Sequence, residues 1–352
     1  MSHYFYRRFV LATLKHARQL WARLTGRRFC CLALSGKVRD GIFINSDMTV
    51  SCNCQDIDAG GRIGDLRQTP FPEIFAGPQA QRLRAELAAG RLPVERCAAC
   101  FHLRTVPKAE AAQGESFVLP RGLCVENTVH CNLRCLSCCR EQIVQTRARK
   151  MLTLDDFEIV AAALRDLDAE FCGFYNLGEP FFAKAVRSQL EIVRQQNPEI
   201  EILVSTNGML LDTDEKREAA LLASHILFSI DGIDTPMLRR YQRGGDFDRS
   251  YRNMKDLVEF RNARGLTRPR IDWKYVVFRW NDRPRDIERA IELAREAGVD
   301  SIQFTFARTP AHGISWRWLL TPYFRRLGNP DGPRGRVVPL AATCGCHAHA
   351  AR

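Results

Sequence analysis

Six short apolar runs, at 122–127, 170–175, 201–205, 226–230, 271–278 and 301–306, alternate with stretches of helical periodicity, and this alternation constrains the fold more than any other feature of the chain. In the first intervening stretch Thr153, with Asp156 three residues on, makes a helix-start signature, and Phe157, Val160, Leu164 and Leu167 follow on one face. Val186, Leu190 and Val193 mark a second helix, and Ile287, Ala290, Ile291 and Ala294 mark a later one that ends at Gly298. Repeated strand–helix units require a parallel sheet with right-handed crossovers. Six units without a seventh or eighth predict the α/β class and a partial (β/α)6 TIM-like barrel over residues 122–307.

Side chains at the C-terminal ends of barrel strands share one mouth. Each polar motif of the chain falls at such an end. Cys131 to Cys138 leaves the first strand, and Asn176-Leu177-Gly178-Glu179-Pro180 leaves the second. Ser205-Thr206-Asn207-Gly208 leaves the third, Ser229-Ile230-Asp231-Gly232 the fourth and Arg279-Trp280-Asn281 the fifth. Taken singly, Gly-Glu-Pro, Asn-Gly and Asp-Gly are ordinary turn formers; their common placement gives them weight.

The first of these loops holds Cys131, Cys135 and Cys138 in a C-x3-C-x2-C spacing. Three thiolates so close in sequence are poorly placed to pair with one another. They can curl round a compact cluster and give one sulfur to each of three irons, leaving the fourth iron of a cubane open. A structural zinc site is the competing reading, but it requires four closed ligands and usually two C-x2-C pairs. Chance clustering in a cysteine-rich chain is the other alternative. Cys139 is the adjacent candidate for a fourth ligand, although neighbouring cysteines seldom both reach one metal without strain.

At these residues the chain resembles the radical S-adenosylmethionine (radical SAM) enzymes, with the resemblance covering about residues 122–307. It implies a core 4Fe–4S cluster on Cys131, Cys135 and Cys138, whose open iron is chelated by the methionine end of SAM. Gly178-Glu179-Pro180 corresponds to the family's Gly-Gly-Glu-Pro loop, so Glu179 takes the role of meeting the methionine amino group and Gly178 that of close approach. Ser229 and Asp231 match the ribose contacts, and Asn207 a polar contact of the third strand, with Ser205 beside them. Two positions depart from the family pattern. Leu177 stands where the first glycine is expected, and Ser137 where an aromatic residue usually lies against adenine.

A second cysteine group precedes the barrel: Cys30 and Cys31, Cys52 and Cys54, and Cys97 and Cys100. Between them 41–45 and 49–50 read as a hairpin around Ser46-Asp47, and residues 73–90 as helical. Residues 29–104 resemble the part of a SPASM domain that carries an auxiliary cluster. On that match Cys31, Cys52, Cys97 and Cys100 are the ligands, with Cys30 and Cys54 as substitutes, and the metal is an auxiliary 4Fe–4S cluster or zinc. Such a domain follows the barrel in most relatives; here it comes first.

The remaining segments are framed by charge and composition. Residues 1–28 carry seven Lys or Arg and no acid, and 308–352 carry seven Arg against one Asp, so the net charge of +12 belongs to the ends and leaves the body near neutral. A folded basic face for nucleic acid is therefore not expected. Residues 4–28 read as a basic amphipathic helix that packs on its own domain, docks on a partner or lies on an anionic membrane surface. Residues 105–121 read as a linker, and 308–352 as an irregular Arg/Pro/Gly-rich tail in which Cys344, Cys346, His347 and His349 form a short Cys/His tract that binds a metal or stays loose. Fourteen cysteines without a secretory pattern or spanning segment point to a cytoplasmic protein using metal or redox chemistry rather than disulfides.

The expected function is reductive cleavage of SAM and abstraction of a hydrogen atom from a peptide or protein, or a carbohydrate-type substrate. A donor such as flavodoxin or ferredoxin supplies the electron. The alternative is a non-catalytic iron–sulfur or zinc protein acting in electron transfer, sensing or assembly. Tyr241, Lys274 and Gln303 lie near the expected mouth, but no catalytic acid or base is assigned.

Overall fold

The computed structural model describes residues 3–113, 116–307, 309–331 and 335–340. The chain forms two compact units, Met1–His130 with Cys139–Ile202 and Cys131–Cys138 with Leu203–Arg352.

The first unit begins with α1 (His3–Leu24), β1 (Arg27–Cys31), β2 (Phe43–Ile44), β3 (Thr49–Ser51), β4 (Arg62–Asp65), α2 (Phe71–Ala76) and α3 (Pro78–Ala88). It continues with β5 (Leu103–Pro107), α4 (Lys108–Gln113), β6 (Gly122–Val125), α5 (Arg140–Thr146), α6 (Leu154–Asp166), β7 (Phe171–Phe174) and α7 (Val186–Gln196). β6 pairs in parallel with β7 on one side and with β2 on the other, and β2, β3 and β4 run antiparallel, so the cysteine-rich hairpin extends the barrel sheet. The expected helix start is present. Thr153 and Asp156 cap each other's backbone reciprocally, and Phe157, Val160 and Leu164 are buried. Each such side chain contributes about 1.5–3 kcal/mol relative to exposure.

The second unit holds β8 (Glu201–Thr206) from Leu203 onward, α8 (Asp214–Leu221), β9 (His225–Ser229), α9 (Thr235–Arg239) and α10 (Phe247–Asn262). β10 (Arg270–Val277), α11 (Pro284–Ala297), β11 (Ser301–Phe306), α12 (Trp316–Leu320), β12 (Asn329–Asp331) and β13 (Gly335–Pro339) follow. β8, β9, β10 and β11 pair in parallel, in that order. α11 buries Ile287, Ala290, Ile291 and Ala294 and ends at Gly298, whose φ of 72° suits a residue without a side chain. The six parallel strands β6 to β11, each followed by helix before the next, make a partial (β/α)6 barrel, with a cysteine-rich α+β segment N-terminal to it.

Three segments differ from the sequence expectation. Residues 73–90 form two helices, because Gly77 is extended and Pro78 starts afresh at the first position of α3. The expected linker 105–121 begins with β5, which pairs antiparallel with β1, and continues into α4. The expected irregular tail contributes β13, antiparallel to β11, and β12 beyond it. In both strands the order comes from a ladder partner distant in sequence, which local composition does not reveal. Cys344, Cys346, His347 and His349 lie outside the described residues.

The basic N-terminal helix forms. Leu11 and Ala22 are buried, Arg18 donates to the Ala98 carbonyl at 2.9 Å, and Phe9, Leu20, Trp21 and Leu24 remain exposed. Among the described residues no helix is long and apolar enough to cross a membrane.

Candidate metal and cofactor sites

In the second unit the loop Cys131–Cys138 is held by its backbone. The Arg134 amide donates to the Arg243 carbonyl at 3.0 Å and the Leu136 amide to that of Tyr241 at 2.8 Å. The Cys138 amide closes a turn on the Cys135 carbonyl at 3.1 Å, and the Leu133 amide lies 3.4 Å from Cys131 Sγ. Burial pushes the Cys135 thiol well up, and Cys138, Cys131 and Asp231 add to the shift through their charges. A cation bound there would favour the Cys135 thiolate that burial and its neighbours oppose.

Asn207, at the end of β8, donates through Nδ2 to Asn132 Oδ1 at 2.9 Å and reaches Cys131 Sγ at 3.9 Å. Asn132 Nδ2 and Ser137 Oγ are buried without a hydrogen-bond partner. Ser137, the departure from an aromatic residue, thus places a buried hydroxyl in the stretch between Cys135 and Cys138. Two orphaned polar atoms in the loop are what a polar group bound beside it would satisfy.

Ser205 Oγ and Ser229 Oγ lie 3.4 Å apart on neighbouring strands. Asp231 is deeply buried, and burial raises its carboxyl to about 7 against the lowering effect of the Val276 amide, which donates to Oδ1 at 2.9 Å. Its backbone is clamped too: its amide donates to Gln242 Oε1 at 3.0 Å, and Asn281 Nδ2 donates to its carbonyl at 3.0 Å. Asp231 and Asn281 therefore lock strand ends together, whatever else Asp231 meets. Gln242 also donates to the Ser229 carbonyl at 2.9 Å, joining the ends of β9 and the Asp231 turn. Sequence reasoning missed Gln242, which belongs to no motif. Tyr241 supports the cysteine loop through its carbonyl, while Gln303 is committed to Asp272 at 2.9 Å.

In the first unit Gly178 is required by close approach, since a Cβ there would stand 1.9 Å from the Thr128 carbonyl oxygen. The next amide, of Glu179, donates to the His130 carbonyl at 2.8 Å. Glu179 is 2% exposed and its Oε1 accepts from the Phe181 amide at 3.3 Å, capping the turn Pro180–Phe182. Leu177 packs on Val129, Cys139 and Ile143. That contact explains both the departure from glycine and the fate of Cys139, which is core at the start of α5 rather than a ligand.

The four cysteines expected at the auxiliary site come together in the same unit. Cys31 ends β1, Cys52 follows β3, and Cys97 and Cys100 lie in and just after the 3-10 turn Glu95–Ala99. All four line one recess with Leu34, Leu83 and Val94. Burial pushes the Cys31 thiol up to about 12 and Cys97 to about 11, and raises Cys52 strongly, with the other thiols of the set adding to each shift. Cys30 and Cys54, the substitutes, do not line this cavity; Cys54 acts on Cys124 and Tyr175 instead.

Among the described residues no three Cys, His, Asp or Glu side chains converge closely enough to hold a single metal ion. Tetrahedral zinc with Zn–S near 2.3 Å sets its thiolates only about 3.8 Å apart.

Comparison with known proteins finds two family models that match the chain. Residues 125–267 match the model of the radical SAM superfamily, and residues 31–101 match that of an iron–sulfur cluster-binding domain, SPASM. The chain is 26% identical to the GTP 3′,8-cyclase of Peptoclostridium acidaminophilum over 37% of this chain and 40% of that protein. It is 24% identical to a protein named GTPase Obg from Brachyspira hyodysenteriae over 54% of this chain and 27% of that protein. Among solved structures, the radical S-adenosylmethionine methyltransferase TsrM from Kitasatospora setae, with cobalamin and a 4Fe–4S cluster bound, is 13% identical, with 66% of this chain and 51% of that one covered and a TM-score of 0.37. The chain spans less than half the length of these two curated relatives. The match to the radical SAM superfamily is thus carried by residues 125–267. More particularly, the SPASM match at residues 31–101 stands N-terminal to the radical SAM match.

Proposed function

We propose that the protein is a radical SAM enzyme that reductively cleaves SAM and takes a hydrogen atom from its substrate. Cys131, Cys135 and Cys138 hold the core 4Fe–4S cluster, and Cys31, Cys52, Cys97 and Cys100 an auxiliary one. When bound, the core cluster and SAM supply an electron and a deoxyadenosyl radical, the chemistry that the protein itself cannot provide. The chain's own part is to hold and orient. Asn207 steadies the cysteine loop through Asn132, Gln242 ties the Ser229 and Asp231 strand ends, and Ser229 and Asp231 face the ribose. Gly178 and Glu179 serve the methionine end, Glu179 as partner to its ammonium group.

The observation that carries this reading is the cysteine loop: burial and the charges of Cys138 and Cys131 oppose ionisation of Cys135, and the loop holds two unpartnered polar atoms, Asn132 Nδ2 and Ser137 Oγ. The substrate class is a peptide or protein, or a carbohydrate-type molecule, on the likeness to SPASM-bearing proteins. The GTP named for the cyclase relatives makes a nucleotide the third class to be assayed. The electron comes from flavodoxin or ferredoxin. A cytoplasmic site of action is proposed on the cysteine-rich composition, which suits metal or redox chemistry in a reducing compartment.

Anaerobically reconstituted protein with dithionite and SAM is expected to release 5′-deoxyadenosine, and Cys135→Ala to abolish the release. A protein with both clusters intact that releases none would instead act in electron transfer, sensing or assembly.

A further inference from the structure

Arg84 lies on α3, the helix whose Leu83 and Leu87 line the auxiliary cavity, and is only 4% exposed. Two of its nitrogens are fixed: Nε donates to the Leu34 carbonyl and Nη2 to the Phe75 carbonyl, both at 2.8 Å. The guanidinium carbon stands 4.0 Å from the centre of the Phe117 ring and 4.6 Å from that of Phe75. The third nitrogen, Nη1, is buried and has no hydrogen-bond partner. Arg84 and Cys31 together line a narrow recess that shares Cys31, Leu34 and Leu87 with the lining of the first. Burial pulls the guanidinium down to about 10, and the charge that opposes the shift is that of Cys31.

A buried cation with an unsatisfied N–H is costly unless negative charge comes to meet it. Two carbonyls and two rings hold the group rigidly but do not neutralise it. The unmet donor therefore points to an anion next to Cys31. A four-thiolate iron–sulfur cluster carries net negative charge, gains more on reduction, and has a potential set by nearby charge and by hydrogen bonds to its sulfurs.

We propose that Arg84 sets the reduction potential of the auxiliary cluster, its buried charge and unpartnered Nη1 beside Cys31 favouring the reduced state. The step concerned is a single electron passing from a low-potential one-electron donor to the cluster, with no bond made or broken and no proton moved. Arg84 is a positioning and tuning residue, not a ligand. The proposal rests on the reading of the four-cysteine site as an iron–sulfur cluster.

The test is a dithionite titration of the full chain, reconstituted anaerobically with iron and sulfide and followed by electron paramagnetic resonance. The auxiliary signal is the one unchanged when SAM is added. Arg84→Met is expected to make the auxiliary cluster about tenfold harder to reduce at a fixed potential, a fall of about 59 mV in its midpoint, while the core midpoint stays put. Arg84→Lys, which keeps the charge but not the fork of donors, shifts it in the same direction by less and serves should the Met variant not fold. Full iron content with an unchanged or raised auxiliary midpoint in either variant overturns the role of Arg84 alone. Wild-type protein that takes up iron for only one four-iron cluster overturns the reading of the site, and the proposal with it.

Discussion

Gly178 shows how one missing side chain positions a carboxylate. Its backbone is pressed onto the Thr128 carbonyl, and the following amide is tied to His130, so the direction of Glu179 follows from main-chain contacts. Gly178→Ala forces a Cβ into a space that backbone already fills, where no flexible group can yield. A loss of about 2 kcal/mol is expected, together with weakened SAM binding, measured by thermal unfolding and by calorimetric titration of the reconstituted protein. Unchanged stability and affinity would mean that the Glu179 loop has no fixed course. Leu177 beside it was legible as a departure from the family pattern, but its reason was not, because Val129, Cys139 and Ile143 gather round it only in the folded unit.

At the scale of elements, α6 is the best example of a helix whose local sequence agrees with its packing. Thr153 and Asp156 cap it, and Asp156 also receives Arg149 at 2.8 Å and Arg67 Nε at 2.7 Å. Burial alone would raise the Asp156 carboxyl, but Arg149, the Thr153 amide and Arg67 outweigh it and hold the group at about 2. A carboxyl held below its ordinary 3.8 adds stability that is complete above that pH and is lost as the pH falls through it towards about 2. Asp156→Asn is thus expected to flatten the acid limb of the stability curve and Thr153→Ala to cost about 1 kcal/mol at neutral pH, both read from urea unfolding between pH 2 and pH 7. An acid limb that is unchanged in Asp156→Asn would assign the acid sensitivity to other groups. The capping pair was plain in the sequence, whereas Arg67 was not, since it comes from the turn after β4.

For the molecule as a whole, the proposed auxiliary ligands come from three separated stretches of the first unit and meet only when β1, the β2–β3 hairpin and the 3-10 turn are in place. Metal binding and folding of that region are then coupled. Incorporation of iron is expected to add about 3 kcal/mol, raising the thermal midpoint by roughly 6–12 °C, and chelation to reverse the gain. A Cys97→Ala, Cys100→Ala protein should show less of this gain, and equal midpoints with and without iron would exclude the coupling. What the sequence determined by itself was whatever local rules can write: the order of six strands, the helix between each pair, the Thr153 cap, the Gly298 stop, the spacing of the cysteine loop and the Gly178-Glu179-Pro180 turn. Only the tertiary structure decided that residues 105–121 supply a strand to β1, that β13 seals β11, that Gln242 clamps Ser229 and Asp231, and that Arg84 stands beside Cys31. Each of these depends on a partner distant along the chain, and neither hydrophobic period nor turn chemistry carries information over that separation.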